Sequence, residues 1–503
     1  MRKKILLLPL DERPCNFKFP LLMPSADIRI IRPPRELLGN KKLPADCKEI
    51  ARWVIENVRD VYAVVLSMDM LIYGGLVPSR LHFDDVRTLD ERAEIVREIK
   101  KINPDAKLYG FQTIMRCPFY SLSNEEPDYY AEYGAEIHLY GRYAHKQSLG
   151  LLAESEERDF ARIKALLPDE VLRDFIERRK ANLHTLLNTL RMVGEDLFDG
   201  FIVSQDDSAP YGFTAMDQSE VREYIKRNKL QLKAPIYPSA DEAEMTLLAR
   251  AVNELNRIVP KIYVYYASAF GATVTPAFED RTIDATVKCQ ILSAGCQRVY
   301  EPSECDIFLA VNIGAEMPYR PTKEQLYRPY DVERSLAEFV SMIKYELGRG
   351  KIVAVADVAY PSNADEELLR ILHDEDLLLK IHAYAGWNTS SNTLGTVICE
   401  ACLYNVGRDR LGNEHFLIHR YYDDVGYVNH ARAWTDVHAA LANGYSEECL
   451  DGERGMCTEM AKGELMRYMR ENYPRIADRV EDIEVSSPWN RSFEMDFSIK
   501  YKD

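Results

Sequence analysis

Short apolar runs alternate with amphipathic stretches along the first two-thirds of the chain. An apolar run of about four to eight residues between turn residues is typical of a buried strand, whereas apolar positions spaced by three and four residues indicate a helix. Their alternation predicts βαβ units and a mainly parallel sheet. The predicted strands are residues 4–10, 28–31, 63–67, 107–111, 200–204, 234–237, 261–266 and 306–312.

The same alternation continues past residue 320, with further predicted strands at 353–358 and 380–384. The clearest helical patterns are residues 47–57, 88–101, 154–192 and 241–258. Eight strands can close a barrel, and they can also form an open doubly wound sheet.

These patterns predict an α/β protein. We expect a TIM-barrel-like catalytic domain at residues 1–318, with an open parallel sheet as the alternative. A smaller α/β unit is expected at 319–410, and a mostly helical region at 411–503.

Composition and charge narrow the list of partners. Hydrophobic residues make up 46% of the chain, which is enough for packed cores, and the net charge is −16. An acidic surface repels phosphate backbones, so we expect no nucleic-acid partner. We also expect no membrane partner, because the chain contains no run of ~18 apolar residues.

The apolar run near the N-terminus leads directly into Asp11, Glu12 and Arg13 without a small-residue cleavage site, and therefore predicts a strand rather than a signal peptide. Ten scattered cysteines suggest a reducing compartment, so we expect a cytoplasmic protein. Cys399 and Cys402 form one CxxC that no second pair completes, so buried helix residues are predicted and no metal or cofactor is expected. The 30 tyrosines are compatible with a homo-oligomer interface.

Polar residues cluster directly after several predicted strands, where parallel α/β folds carry their reactive groups. Alternatives remain for some of them: Asp241 and Thr389 can cap helices, and Arg13 and Arg80 can be counter-ions of Asp11 and Asp69. The candidate substrate-binding residues are Asp11, Arg13, Asn16, Asp69, Tyr73, Gly74, Gly75, Arg80, Gln205, Tyr211, Asp241, Asn312, Trp387, Asn388 and Asn392.

The adjacent acids Asp206 and Asp207 follow an apolar strand and are the candidate catalytic residues. Burial and like charge raise one pKa of such a pair, which leaves a protonated acid beside an ionised one. That arrangement suits general acid/base chemistry on an acetal, whereas a turn that needs two aspartates is the structural alternative.

Four segments resemble a bacterial family that is catalogued as domain of unknown function 4127. They are residues 8–14 (LPLDERP), 73–80 (YGGLVPSR), 205–207 (QDD) and 384–395 (YAGWNTSSNTLG). The resemblance covers most of the chain and implies no activity.

A second similarity concerns residues 201–207 (FIVSQDD), which resemble the strand and Asp-Asp motif of the O-GlcNAcase-type hexosaminidases. The helical pattern that follows, the strand at 261–266 and a strand that ends in Asn312 are similar to that family as well. The resemblance implies that Asp206 orients an acetamido group and that Asp207 is the general acid/base. Gln205 stands where the family has an aromatic residue.

We therefore expect a hydrolase, specifically a glycosidase, that acts on a small saccharide and on N-acetylhexosaminides if the second resemblance holds. Two alternatives stay open. Clustered aspartates can hold Mg²⁺ or Mn²⁺ in a metal-dependent hydrolase, and the chain can be a saccharide-binding protein without catalysis.

Overall fold

The structure is a computed structural model that describes residues 2–317 and 322–502. The chain forms two compact units. The first contains the chain up to Glu12, residues Ile28–Leu247 and Phe278–Asp280, and the second contains Arg13–Asp27, Leu248–Ala277 and the chain from Arg281 onward. The chain thus passes between the units more than once, whereas the sequence analysis divided it into three consecutive segments. The expected boundary between residues 318 and 319 lies outside the described residues, and that division stays a prediction.

The first unit is built on a parallel sheet of six strands. The strands are β1 (Lys3–Leu8), β2 (Ile28–Ile31), β3 (Ala63–Ser67), β4 (Lys107–Ile114), β5 (Gly200–Gln205) and β6 (Ile236–Pro238). Their order in the sheet is β2-β1-β3-β4-β5-β6. Strand β1 has β2 on one side and β3 on the other, so the direction of winding reverses between β1 and β3.

Central strands of this sheet are apolar because both of their faces are covered. Every residue of β3 and of β5 is buried, whereas the edge strand β2 is buried only at Ile28. Such continuous burial explains why their sequences read as unbroken apolar runs rather than as alternating patterns. The helices of this unit are Cys47–Asn57, Met68–Tyr73, Val86–Ala93, Ile95–Ile102, Tyr130–Ser148, Glu154–Leu166, Asp169–Gly194 and Phe213–Arg227, and Ala243–Leu255 begins in it.

The second unit has its own parallel sheet, of five strands. The strands are β7 (Lys261–Tyr266), β8 (Gln297–Val299), β9 (Ile307–Asn312), β10 (Ile352–Asp357) and β11 (Ala383–Ala385). Their order in the sheet is β11-β10-β9-β7-β8. The winding also reverses beside the first strand of this sheet, because β7 lies between β8 and β9.

The last part of the chain is largely helical and also contains an antiparallel pair, β12 (Val480–Ser486) with β13 (Asp496–Tyr501). An 11-residue π-helix, Tyr421–Ala431, continues directly from the helix before it. The α-helices of the second unit are Pro14–Phe17, Phe19–Leu22, Ile283–Ser293, Lys323–Leu326, Leu336–Gly348, Glu366–Asp374, Ser390–Gly407, Arg410–Arg420, Arg432–Trp434, Met456–Asn472 and Pro474–Ala477.

These observations confirm the parallel α/β prediction in its open form. The preference for a closed barrel was wrong for the described residues, because β2 and β6 are the two edges of one sheet and β7 and β9 belong to another. Cys399 and Cys402 are buried on the helix Ser390–Gly407, as predicted. Among the described helices, none combines the length and the apolar character that crossing a bilayer requires.

Candidate functional site

The charged residues of the first unit converge at the carboxyl ends of β3, β4 and β5. Asp69 comes two residues after β3, Arg116 two residues after β4, and Asp206 directly after β5. These ends are neighbours, since Ser67 pairs with Phe111 and Ile114 pairs with Gln205. Ligands of open α/β sheets bind outside the carboxyl ends of the strands, so this edge is the candidate site.

Two arginines each hold one acid of the Asp206–Asp207 pair. Arg80 Nη2 donates to Asp206 Oδ2 at 2.8 Å, and Arg116 Nη1 donates to Asp207 Oδ2 at 3.3 Å. The Arg80 side chain is 1% exposed and that of Arg116 12%, whereas Asp206 and Asp207 are 14% and 23% exposed. The guanidinium groups therefore lie beneath the more accessible carboxylates.

Two glutamates join the arginines to one another. Glu126 Oε1 accepts from Arg80 Nη1 at 3.3 Å and from Arg116 Nε at 2.7 Å. Glu125 Oε2 accepts from Arg80 Nη1 and from Arg116 Nη2, both at 3.1 Å. The result is one network of four carboxyl groups and two guanidinium groups, which we call the acid–arginine network: Arg80, Arg116, Glu125, Glu126, Asp206 and Asp207.

Asp207 is unusual in both its backbone and its protonation. Its φ of +44° lies in the left-handed region, which few residues other than glycine adopt, although Asp and Asn tolerate it best. Burial and the neighbouring charge of Asp206 raise the pKa of Asp207 to about 7, against the opposing effect of Arg116. Asp207 thus exchanges its proton near neutral pH, as a general acid/base must.

Asp69 is a second carboxyl group with a raised pKa at this edge. It is 1% exposed, and its Oδ2 accepts from the Thr113 backbone N–H at 2.9 Å. Burial is the main cause that raises the pKa of Asp69 to about 7, and the charges of Arg80 and Asp206 also act on it. Within the described chain, Asp69 Oδ1 has no hydrogen-bond partner.

Arg80 acts on Asp69 by its charge and forms its hydrogen bonds with other carboxylates. It was considered as a counter-ion of Asp69, but its hydrogen bonds go to Asp206, Glu125 and Glu126. The side chain therefore belongs to the acid–arginine network.

The structure also describes the other predicted residues of the first unit. Gly74, at φ +82°, ends the helix Met68–Tyr73, and a Cβ there would lie 2.6 Å from the Ala45 carbonyl oxygen. The Tyr73 ring is buried against His82. The placements of the rest are as follows: Asp11 and Asp241 are buried, Gly75 follows Gly74 with φ +136°, Gln205 Nε2 donates to Asp280 Oδ2 at 3.0 Å, and Tyr211 packs edge-on against His145.

Six predicted site residues lie in the second unit: Arg13, Asn16, Asn312, Trp387, Asn388 and Asn392. Asn312 Nδ2 donates to Asp357 Oδ1 at 2.9 Å and to Asp365 Oδ2 at 3.0 Å, in a buried network with Arg334.

Around Trp387 the contacts are those of a helix start. Thr389 caps the helix Ser390–Gly407 reciprocally with Asn392, as the helix-cap alternative predicted. Asn388 has φ +48° and donates from Nδ2 to Asn392 Oδ1 at 2.8 Å. The Trp387 indole donates to Thr396 Oγ1 at 3.2 Å and packs edge-on against Phe19.

Elsewhere, the Arg13 guanidinium lies 4.9 Å from the Trp489 ring centre, and Asn16 is buried.

Sequence analysis missed Arg116, Glu125 and Glu126. Arg116 could have been found as a polar residue just after a strand end. It was not, because the predicted strand stopped at 111 whereas β4 continues to Ile114. Glu125 and Glu126 lie in the loop before the helix Tyr130–Ser148, and no motif distinguishes them from other loop acids. Only the folded chain brings them to Arg80.

The metal-dependent alternative needs converging ligands. In the described ranges 2–317 and 322–502, no three His, Cys, Asp or Glu side chains are grouped so that they could hold a metal ion.

Comparisons with known proteins identify the family and nothing beyond it. No curated protein and no solved structure matches the chain. The similarity to the hexosaminidases accordingly stays a prediction from residues 201–207. A family model matches residues 5–498, nearly the whole chain. The chain belongs to the family described as protein of unknown function (DUF4127).

Proposed function

We propose that this protein is a glycoside hydrolase in which Asp207 is the general acid/base. The observation that carries the proposal is the unequal environment of two adjacent acids. Asp206 is bound to the buried Arg80, whereas the pKa of Asp207 is raised to about 7 by burial and by the charge of Asp206. Two carboxyl groups whose environments differ in this way are the arrangement that acid/base cleavage of an acetal uses.

The proposed reaction begins with Asp207 protonated. Its proton passes to the glycosidic oxygen while the bond from that oxygen to the anomeric carbon breaks. The Asp207 carboxylate then takes a proton from water as the water oxygen bonds to the anomeric carbon, so that one glycoside and one water give two hydroxyl products. General acid/base catalysis of this kind contributes about 10²–10⁴-fold to the rate.

Arg116 favours the ionised form of Asp207. Its Nη1 is 3.3 Å from Asp207 Oδ2, a long contact that becomes more favourable when the acid ionises. Tyr120 is near enough for the charge of Asp207 to act on its pKa, and burial raises that pKa to about 12. We propose that its ring packs against the C–H face of the sugar.

The finer role that the hexosaminidase resemblance implies for Asp206 is the orientation of an acetamido group. In this chain Asp206 Oδ2 accepts from Arg80, so one oxygen of the carboxylate is engaged by the protein itself. The proposal therefore does not specify N-acetylhexosaminides, although they are the first substrates to test. Action on a small saccharide in the cytoplasm is proposed from the acidic charge and the cysteine distribution.

A panel of aryl glycosides, with and without EDTA, tests the proposal. We expect at least one aryl glycoside to be cleaved, EDTA to have no effect, and Asp207→Asn to lower turnover at least 100-fold while the melting temperature stays close to that of the parent. Asp105→Asn is the matched control, because it removes an exposed carboxylate from the same unit. The rate should fall above about pH 7 as Asp207 loses its proton.

Two outcomes would replace the proposal. Activity that EDTA removes and Mn²⁺ restores would establish the metal-dependent alternative. A saccharide that raises the melting temperature while no glycoside is cleaved would establish the binding protein.

A further inference from the structure

The exposed side of the acid–arginine network is acidic. Asp206, Asp207 and Glu125 are 14%, 23% and 17% exposed, while Arg80 is 1% exposed and lies beneath them. Four carboxyl groups share two guanidinium groups, so the network keeps an excess of negative charge even when Asp207 is protonated. An approaching ligand therefore meets carboxylate oxygens first.

Two buried carboxylate oxygens at this edge also lack donors. In the described part of the chain, neither Glu126 Oε2 nor Asp69 Oδ1 has a hydrogen-bond partner, and both residues are 1% exposed. Asp69 is outside the network, but it is near enough to Arg80 and Asp206 for their charges to act on it. A buried polar atom without a partner is unfavourable, and more so if it is charged, so this edge is short of hydrogen-bond donors and of positive charge.

We infer that the site accepts a glycoside whose sugar carries a protonated amine, and that Glu125, Asp206 and Asp207 face this ammonium group. The inference rests on the proposed function, because it names the substrate class of the same site. An ammonium group supplies three donors and no acceptor, together with the charge that the network lacks. An acetylated amine supplies one donor and no charge, and a sugar acid or sugar phosphate adds negative charge where it is already in excess.

Binding of free sugars to the intact chain tests the inference without requiring turnover. We expect glucosamine, at about pH 6.5 where its amine is protonated, to bind at least ten times more tightly than N-acetylglucosamine or glucuronic acid in titration calorimetry. Glu125→Gln should weaken glucosamine binding at least tenfold, leave N-acetylglucosamine binding unchanged and not weaken the binding of glucuronic acid. Glu132→Gln is the matched control, since it removes one exposed carboxylate from the helix Tyr130–Ser148, and it should change glucosamine binding less than twofold.

Asp69→Asn is a second variant in case Glu125→Gln fails to fold. It removes a buried carboxyl group that lies outside the network and should weaken glucosamine binding at least threefold. Equal or tighter binding of N-acetylglucosamine or glucuronic acid would overturn the inference, and so would the absence of glucosamine binding. If the chain binds glucosamine but cleaves no glycoside, the proposed function is refuted and the ligand class is not. If the chain cleaves N-acetylglucosaminides but does not bind glucosamine, the ligand class is refuted and the proposed function is not.

Discussion

Replacement of Asp69 by asparagine should make the chain more stable at alkaline pH and not at acidic pH. The side chain is buried at the carboxyl end of β3, and its Oδ2 accepts the Thr113 N–H at 2.9 Å. Asparagine has nearly the same shape and keeps an oxygen for this hydrogen bond. The change therefore removes the ionisable group and little else.

The magnitude follows from the raised pKa. Burial raises the pKa of Asp69 from 3.8 to about 7, a shift that corresponds to ~4 kcal/mol. Between these two pH values the folded chain binds more protons at Asp69 than the unfolded chain does, so stability falls as the pH rises. The contribution is favourable below pH 3.8 and is lost by the time the pH has passed 7, and ~2.5 kcal/mol of the change falls between pH 5 and pH 8.

Urea unfolding at several pH values, followed by circular dichroism, measures this difference. The free energy of unfolding of Asp69→Asn minus that of the parent should increase by ~2.5 kcal/mol from pH 5 to pH 8. Taking the difference cancels the titration of the other buried acids, which both proteins share. Asp105→Asn controls for the loss of one negative charge from the same unit.

A difference that does not vary between pH 5 and pH 8 would refute the reasoning. It would mean that Asp69 ionises inside the folded chain as easily as in water. Its unpartnered oxygen would then have found a donor, and the shortage of donors at this edge would no longer support a cationic ligand.

Two further predictions concern the scaffold of the site. Gly74→Ala should lower the free energy of unfolding by more than about 1 kcal/mol, because φ is +82° and the added Cβ would lie 2.6 Å from the Ala45 oxygen. Gly150→Ala should lower the free energy of unfolding by less in the same urea titration, because φ is also positive there (+69°) but nothing lies within 4 Å of the added Cβ. The difference between the two variants therefore measures the cost of the clash at Gly74. Arg80→Met should lower the unfolding free energy by about 3–5 kcal/mol, because it leaves buried carboxylates without their partner. Arg80→Lys, which keeps the charge, should lose less, and equal losses for Met and Lys would contradict the role of the charge.

Much of the fold was predictable because strand signals are local. The strands at 28–31, 63–67 and 261–266 were predicted with the bounds that they have, since each is a short apolar run between polar residues. The helix predicted at 154–192 is interrupted, because Pro168 separates Glu154–Leu166 from Asp169–Gly194 and proline cannot continue a helix. The antiparallel pair of β12 and β13 was missed inside a region that was expected to be helical.

The candidate site was predictable only in part. Asp206, Asp207, Asp69 and Arg80 all follow strands, and the rule of carboxyl-end loops found each of them. The rule also selected Asn312 and Trp387, which satisfy the same local criterion but belong to the unit of the other sheet. A rule based on strand ends places a residue at the carboxyl-terminal edge of some sheet, but it does not say which of the two sheets.

The sequence by itself determined where strands and helices form, that the sheets are parallel, and that two adjacent acids follow the strand β5. These features depend on side chains within a few residues of one another. The tertiary structure alone decided that the strands form two open sheets, that Arg80 holds Asp206, and that Glu125 and Glu126 tie Arg80 to Arg116. Arg80 and Asp206 are 126 residues apart in the chain, and contacts at such separations depend on burial and charge pairing that the local pattern does not record.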